Sequence, residues 1–379
     1  MRASTPDRDV AVVLSGGGMN AVLLELGFLK RLRDSDLWAR ISVVFGTSAG
    51  ALVGAMGAQN RLDELEEFLY SLQPEETFRR NRLWRLPLLG THDYVLPDTI
   101  GERLGDIVSA ARNLQDGPTE LVVIVTDVTV DGDAGASRLF ELAYSSRTSP
   151  PEEMAQAVLA SAAISALVLP QLVGDRVATD GGWVRNYPLG YAYDREDIEL
   201  IVGFRYEPTY ATLGAGVLSG VAGRLRRYAR FPAAGILHRE LEAAVERERR
   251  GQPAHIVDIF SRLARVAIIR NTAVEELVAH WREQSVKELA SLRTDVVSRL
   301  RDEGLEDLAE GVDRRFASAE FPFRHDRVVP RITVAGSAGA VTLEPGFRRP
   351  KPWTHEAKHE LIERGYRLAD EGLRSGEPA

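Results

Sequence analysis

Ile41-Ser42-Val43-Val44-Phe45-Gly46-Thr47-Ser48-Ala49-Gly50 is a short apolar run that breaks into G-x-S-x-G. Small and apolar residues follow it, Ala51-Leu52-Val53-Gly54-Ala55-Met56. That order predicts a buried strand, a sharp turn at Ser48 and a helix. A serine nucleophile needs this setting, because a tight strand-to-helix turn lifts Oγ clear of the sheet and flanking Gly46 and Gly50 keep Cβ atoms out of the way. The helix that follows aims N–H groups, Ala49 first, and its positive end at a developing oxyanion. As a plain Gly-rich turn the pentapeptide would hold an incidental serine. Its position at a strand end favours the nucleophile.

Working outward, residues 9–14 form a second apolar run that ends in Ser15-Gly16-Gly17-Gly18 and passes into a helical pattern carrying Leu23, Leu26, Leu29 and Leu32. Further strand candidates are 121–126, 198–202, 331–334 and 341–343. Apolar runs alternating with helical patterns point to βαβ units and an α/β fold with a mostly parallel sheet. Residues 63–113 read as an irregular helical excursion. Residues 9–206 form the core and 207–320 a largely helical insertion or cap. Residues 321–379 complete the core with strands and a closing helix over 354–374, capped by Thr354.

The chain's 379 residues are enough to bury a large core. It contains no cysteine, which excludes a disulfide framework, a thiolate nucleophile and a Cys-ligated metal. The net charge of −8 argues against broad nucleic-acid binding. A polar N-terminal stretch without an apolar segment, and the lack of any long uncharged apolar window, predict a cytoplasmic protein with no membrane span. Arg224, Arg226, Arg227 and Arg230 among apolar neighbours in 218–231, and the Leu- and Trp-rich stretch 83–89, are candidates for peripheral membrane contact or a lid.

Two other features carry chemistry. Consecutive glycines 16–18 let backbone N–H groups converge on an anion, as an oxyanion hole requires. The same stretch through Ala21 also fits the dinucleotide fingerprint G-x-G-x-x-G/A. That alternative needs an acidic residue at the end of the second strand, where Ser48 stands instead. Asp180-Gly181-Gly182 follows a short strand candidate, and its glycines leave the carboxylate room to enter a site. Such a base works only when desolvation in a water-poor pocket raises its basicity. His355 and His359 match H-E-x-x-H, a zinc spacing, but in a polar terminal segment without a third ligand; no metal is expected.

Taken together, Gly16-Gly17-Gly18, Gly46-Thr47-Ser48-Ala49-Gly50 and Asp180-Gly181-Gly182 resemble the patatin-like phospholipase family over 9–206. Val125-Thr126-Asp127, the small-residue stretch 160–164 and the run from Asp180 to Leu189 resemble it too. The resemblance implies a three-layer α/β/α fold with a mostly parallel central sheet. It implies a lipid acyl hydrolase with a Ser48–Asp180 dyad, an oxyanion hole at Gly16, Gly17, Gly18 and Ala49, a lipid or ester substrate, and no cofactor. The sequence departs from the family where Asn20 replaces a basic residue and Ala21 a glycine. The rival readings are an α/β-hydrolase triad with a late histidine such as His325, and a non-catalytic lipid-binding or regulatory protein.

Overall fold

The computed structural model describes residues 8–81, 92–129, 140–164, 168–207, 232–250, 256–321, 323–339 and 353–376. The stretches 83–89 and 218–231 and the strand candidate 341–343 lie outside the described residues. The apolar runs become strands β1 (Val10–Leu14) and β2 (Ile41–Thr47), with Phe78–Arg80 as β3 and His92–Tyr94 as β4. Next come β5 (Glu120–Asp127), β6 (Glu141–Ser145), β7 (Gln171–Val173), β8 (Arg176–Asp180), β9 (Leu200–Tyr206) and β10 (Arg331–Gly336). The main sheet runs β10-β9-β1-β2-β5-β8-β7, with β6 also paired to β5.

From β10 to β5 every pairing is parallel, whereas β6, β7 and β8 are antiparallel additions. Every residue of β1 is fully buried, as a central strand covered on both faces must be. One face is covered by α1 (Gly18–Arg33), α2 (Ala49–Ala58), α3 (Pro151–Ser161) and the terminal helix His355–Ser375; the other by the short helices Gly182–Arg185 and Leu189–Tyr193 and by α4 (Ile256–Asp302). The result is a three-layer α/β/α sandwich. Thr354 Oγ1 accepts the Ala357 N–H at 3.2 Å and caps the terminal helix.

Residues 63–113 differ from the irregular helical reading, because β3 and β4 form a separate antiparallel ribbon between helices. Between β9 and β10 the described residues form helices Pro232–Arg249, α4 and Glu306–Ala317.

One detail of the pairing positions the site. β6 occupies one edge of β5 over Val122–Thr126. β2 must therefore lie on the opposite edge, where it pairs up to Thr47 with Ile124. β8 lies on that same edge, with its last residue, Asp180, against Val125. Two strands running in opposite senses thus meet end to end on one edge, each delivering its last residue to the same point. The chain leaves β2 at Ser48, and β8 ends at Asp180.

Candidate active site

At the end of β2, Ser48 adopts φ 54° and ψ −115°, backbone strain that non-glycine residues rarely tolerate. α2 starts at the next residue and must run back against β1. A Cβ on Gly50 would sit 2.6 Å from the carbonyl oxygen of Leu14, so only glycine permits that approach. The Ser48 N–H donates to Ser161 Oγ at 2.8 Å, and the Ser161 hydroxyl donates to the Ile124 carbonyl at 2.6 Å. The strained turn is therefore pinned to β5 through a buried serine of α3.

The Ser48 hydroxyl donates to Asp180 Oδ2 at 2.8 Å, and the Gly182 N–H donates to Asp180 Oδ1 at 2.7 Å. Both side chains are buried, Ser48 at 5 % and Asp180 at 9 % exposure. Burial raises the Asp180 carboxyl to about 6, opposed by the hydrogen bonds from Gly182 and Ser48. Its backbone is fixed as well: the Thr126 hydroxyl donates to the Asp180 carbonyl at 2.7 Å, and the Asp180 N–H donates to Ala163 O at 3.2 Å. A Cβ on Gly181 would overlap the Ile124 carbonyl, which explains the first glycine of the turn.

The glycine loop lies alongside. An added Cβ on Gly16 would stand 3.1 Å from Ser48 Cβ. The Gly16 N–H is engaged, donating to the Asn186 carbonyl at 3.0 Å. Gly17, Gly18 and Ala49 are left as the amides without a protein acceptor among the described residues. Gly18 opens α1 at φ 62° and Ala49 opens α2, so two helix N-termini approach Ser48. Asn20, standing where the family carries a basic residue, is fully buried and donates to the Tyr206 hydroxyl at 3.3 Å.

Sequence reasoning missed the support from α4. Asn271 Nδ2 donates to the carbonyls of Gly182 (2.7 Å) and Trp183 (3.2 Å), and Asn271 Oδ1 accepts the Asn186 N–H at 3.3 Å. Asn186 Nδ2 in turn donates to Thr272 Oγ1 at 3.1 Å. Arg185 bridges Glu141 of β6 and Glu275 of α4. Nothing in the helical pattern of 256–302 marks Asn271, whereas Ser161 and Asn186 lie inside stretches that the resemblance already covers.

Among the described residues no histidine bonds to Ser48 or Asp180. His325 Nε2 lies 3.1 Å from the Phe316 carbonyl and its ring packs on Phe321. His355 stacks on Tyr70, whose hydroxyl lies 2.9 Å from His359 Nδ1.

The sequence model of patatin-like phospholipases matches residues 12–193, a span that runs from β1 through Asp180-Gly181-Gly182. Just under half of the chain thus matches the patatin-like phospholipase family. The matched span holds all three motifs of the patatin-like core, while β9, α4, β10 and the terminal helix lie beyond it. Among solved structures, VipD from Legionella pneumophila aligns with a TM-score of 0.42 at 15% identity, covering 98% of this chain and 67% of that one. No curated protein matches. The family match over this span supports lipid acyl hydrolysis as the general activity. No described helix is long and apolar enough to cross a membrane.

Proposed function

We propose that this patatin-like protein is a serine hydrolase that cleaves carboxylic esters of lipids through a Ser48–Asp180 dyad and an acyl-enzyme. One observation carries the reading: a strained, buried serine donates to a buried carboxylate whose basicity burial has raised. Asp180 takes the proton of Ser48 Oγ as Oγ attacks the ester carbonyl. The N–H groups of Gly17, Gly18 and Ala49 receive the oxyanion. Collapse of the tetrahedral adduct breaks the C–O bond of the leaving alcohol, which takes the proton from Asp180. Water then attacks the acyl-serine, Asp180 accepts its proton, and the free acid departs as Ser48 Oγ recovers that proton. An alcohol in place of water would make the same site an acyltransferase.

Gly16 serves differently in this scheme. Its N–H holds the loop against Asn186, and the oxyanion falls to the amides on either side of the turn. The substrate is drawn from a lipid surface, which the protein reaches peripherally. Labelling with a fluorophosphonate tests the proposal. The native chain is expected to label, Ser48→Ala not to label, and Asp180→Asn to label at least 100-fold more slowly, the scale of a lost general base. Equal labelling of the native and Ser48→Ala proteins would reject the nucleophile. Loss of labelling in His325→Ala with the fold intact would restore the triad.

A further inference from the structure

The outer face of α4 carries an apolar stripe. Its inner face, marked by Thr272, Ala279, Val286 and Val297, is buried. On the opposite side Leu263, Val266, Val274, Leu277, Trp281 and Leu292 stand 42 to 60 % exposed. The stripe repeats every 11 residues, Leu263, Val274, Ser285 and Val296 falling on one line. At 3.67 residues per turn this runs nearly straight along the helix. From 263 to 296 it spans about 50 Å. Isolated exposed apolar residues need no explanation, but a contiguous patch on the order of 500 Å² marks an interaction surface.

Two charges interrupt the stripe, Arg270 and Glu288, both exposed. Their places decide what fits the face. An antiparallel copy of the same helix, related by a two-fold axis near residue 279, sets Arg270 against Glu288 of the other copy, and Glu288 against its Arg270. That register also sets Leu263 against Val296, Val266 against Leu292, and Leu277 against Trp281. Val274 falls against Ser285. Of these apolar positions all but Val274 meet an apolar partner, and Arg270 and Glu288 meet each other. A closed two-fold contact demands this self-complementarity. A lipid surface would instead bury Glu288 unpaired, and the chain's net charge of −8 would oppose anionic lipid.

We propose that α4 pairs antiparallel with α4 of a second copy of this chain, forming a two-fold dimer in the register Arg270–Glu288. With about 500 Å² from each copy, the contact buries about 1,000 Å², the lower end for a specific interface. Dimer and monomer should therefore exchange in the micromolar range. The inner face of the same helix holds Gly182, Trp183 and Asn186 through Asn271 and Thr272, so the dimer would brace a helix on which the site leans.

The test reads mass and cross-linking of the full chain, not turnover, so it stands or falls independently of the dyad. Sedimentation at increasing concentration should give twice the 41.8 kDa of one chain. Arg270→Glu and Glu288→Arg should each weaken dimerisation at least 10-fold, and the double exchange should restore it. Because the chain has no cysteine, introduced thiols report only themselves. The pair Val274→Cys with Ser285→Cys should form an intermolecular disulfide under oxidation, and Val274→Cys alone should not. A chain that stays monomeric up to about 100 μM overturns the proposal, and flotation of that monomer with phosphatidylcholine vesicles would assign the face to lipid. A dimer indifferent to both charge reversals, or one cross-linked by Val274→Cys alone, overturns the register.

Discussion

Asp180→Asn should stabilise the protein at neutral pH while abolishing its chemistry. Burial lifts the Asp180 carboxyl from an ordinary value of 3.8 to about 6. The native state therefore holds this proton more tightly than the unfolded chain does. Between about pH 4 and 6 the native state binds more protons than the unfolded state, so stability falls as pH rises through that window and then levels off. A displacement of about two pH units is worth about 3 kcal/mol. That is the cost of keeping a desolvated carboxylate, and a substantial part of a typical folding free energy of about 5–15 kcal/mol. Asparagine keeps the shape and the acceptor for the Gly182 N–H but never ionises. Urea denaturation of both proteins at pH 4, 5, 6, 7 and 8 measures the effect, because the difference between them cancels every other titrating group. The variant should gain about 2–3 kcal/mol on the native protein from pH 4 to pH 8. Fluorophosphonate labelling of the native protein should rise over the same interval, with its midpoint near 6. Stability curves that stay parallel across the whole range would refute the argument, since then Asp180 is not desolvated and has no raised basicity to offer Ser48.

Three further substitutions probe the supports of the dyad and of the fold. Ser161→Ala leaves the buried Ser48 N–H without its acceptor, a cost of about 1–3 kcal/mol; labelling should slow about 10- to 100-fold with circular dichroism unchanged, and Ser161→Thr should recover most of it. Asn271→Ala frees the carbonyls of Gly182 and Trp183, so kcat should fall about 10-fold while KM for a soluble ester holds, since the residue lies behind the turn rather than against substrate. Lys358 is buried in the terminal helix, donates to the carbonyls of Tyr70 (2.9 Å) and Leu72 (2.6 Å), and is pushed down to about 8 by burial. Its folded value lies below the unfolded 10.5, so the native protein should gain stability over Lys358→Met as pH rises from 8 to 10 in thermal melts.

The parts of the site legible in the sequence are those where one residue type is demanded by local backbone geometry. Gly50 and Gly181 are needed because a carbonyl lies where a Cβ would go. Ser48 is recognisable because it stands between such glycines at the end of an apolar run. Antiparallel β6 and β7 were not legible. β6 is only half-buried and β7 is three residues long with Leu172 exposed, so neither shows the continuous apolar run of a covered strand. At Asn20 the sequence shows only the lack of a charge; it has no means of revealing that Tyr206, 186 residues away, accepts from its side chain.

The same distinction explains why Asn271 escaped notice and why it matters. Ser48 and Asp180 are 132 residues apart, yet their meeting is set by pairing alone, because β2 stops at Ile124 of β5 and β8 takes over at Val125. Pairing fixes their separation along the sheet to within one residue. It does not fix the rotation of the turn after β8, where the carboxylate must face Oγ. That rotation depends on where the carbonyls of Gly182 and Trp183 go, and both go to Asn271 on a helix outside the family-matched span. The strands bring the two residues to one point, and α4 holds the turn that aims one at the other. Changes in α4 should therefore alter the rate of acylation without touching any motif by which the core is recognised.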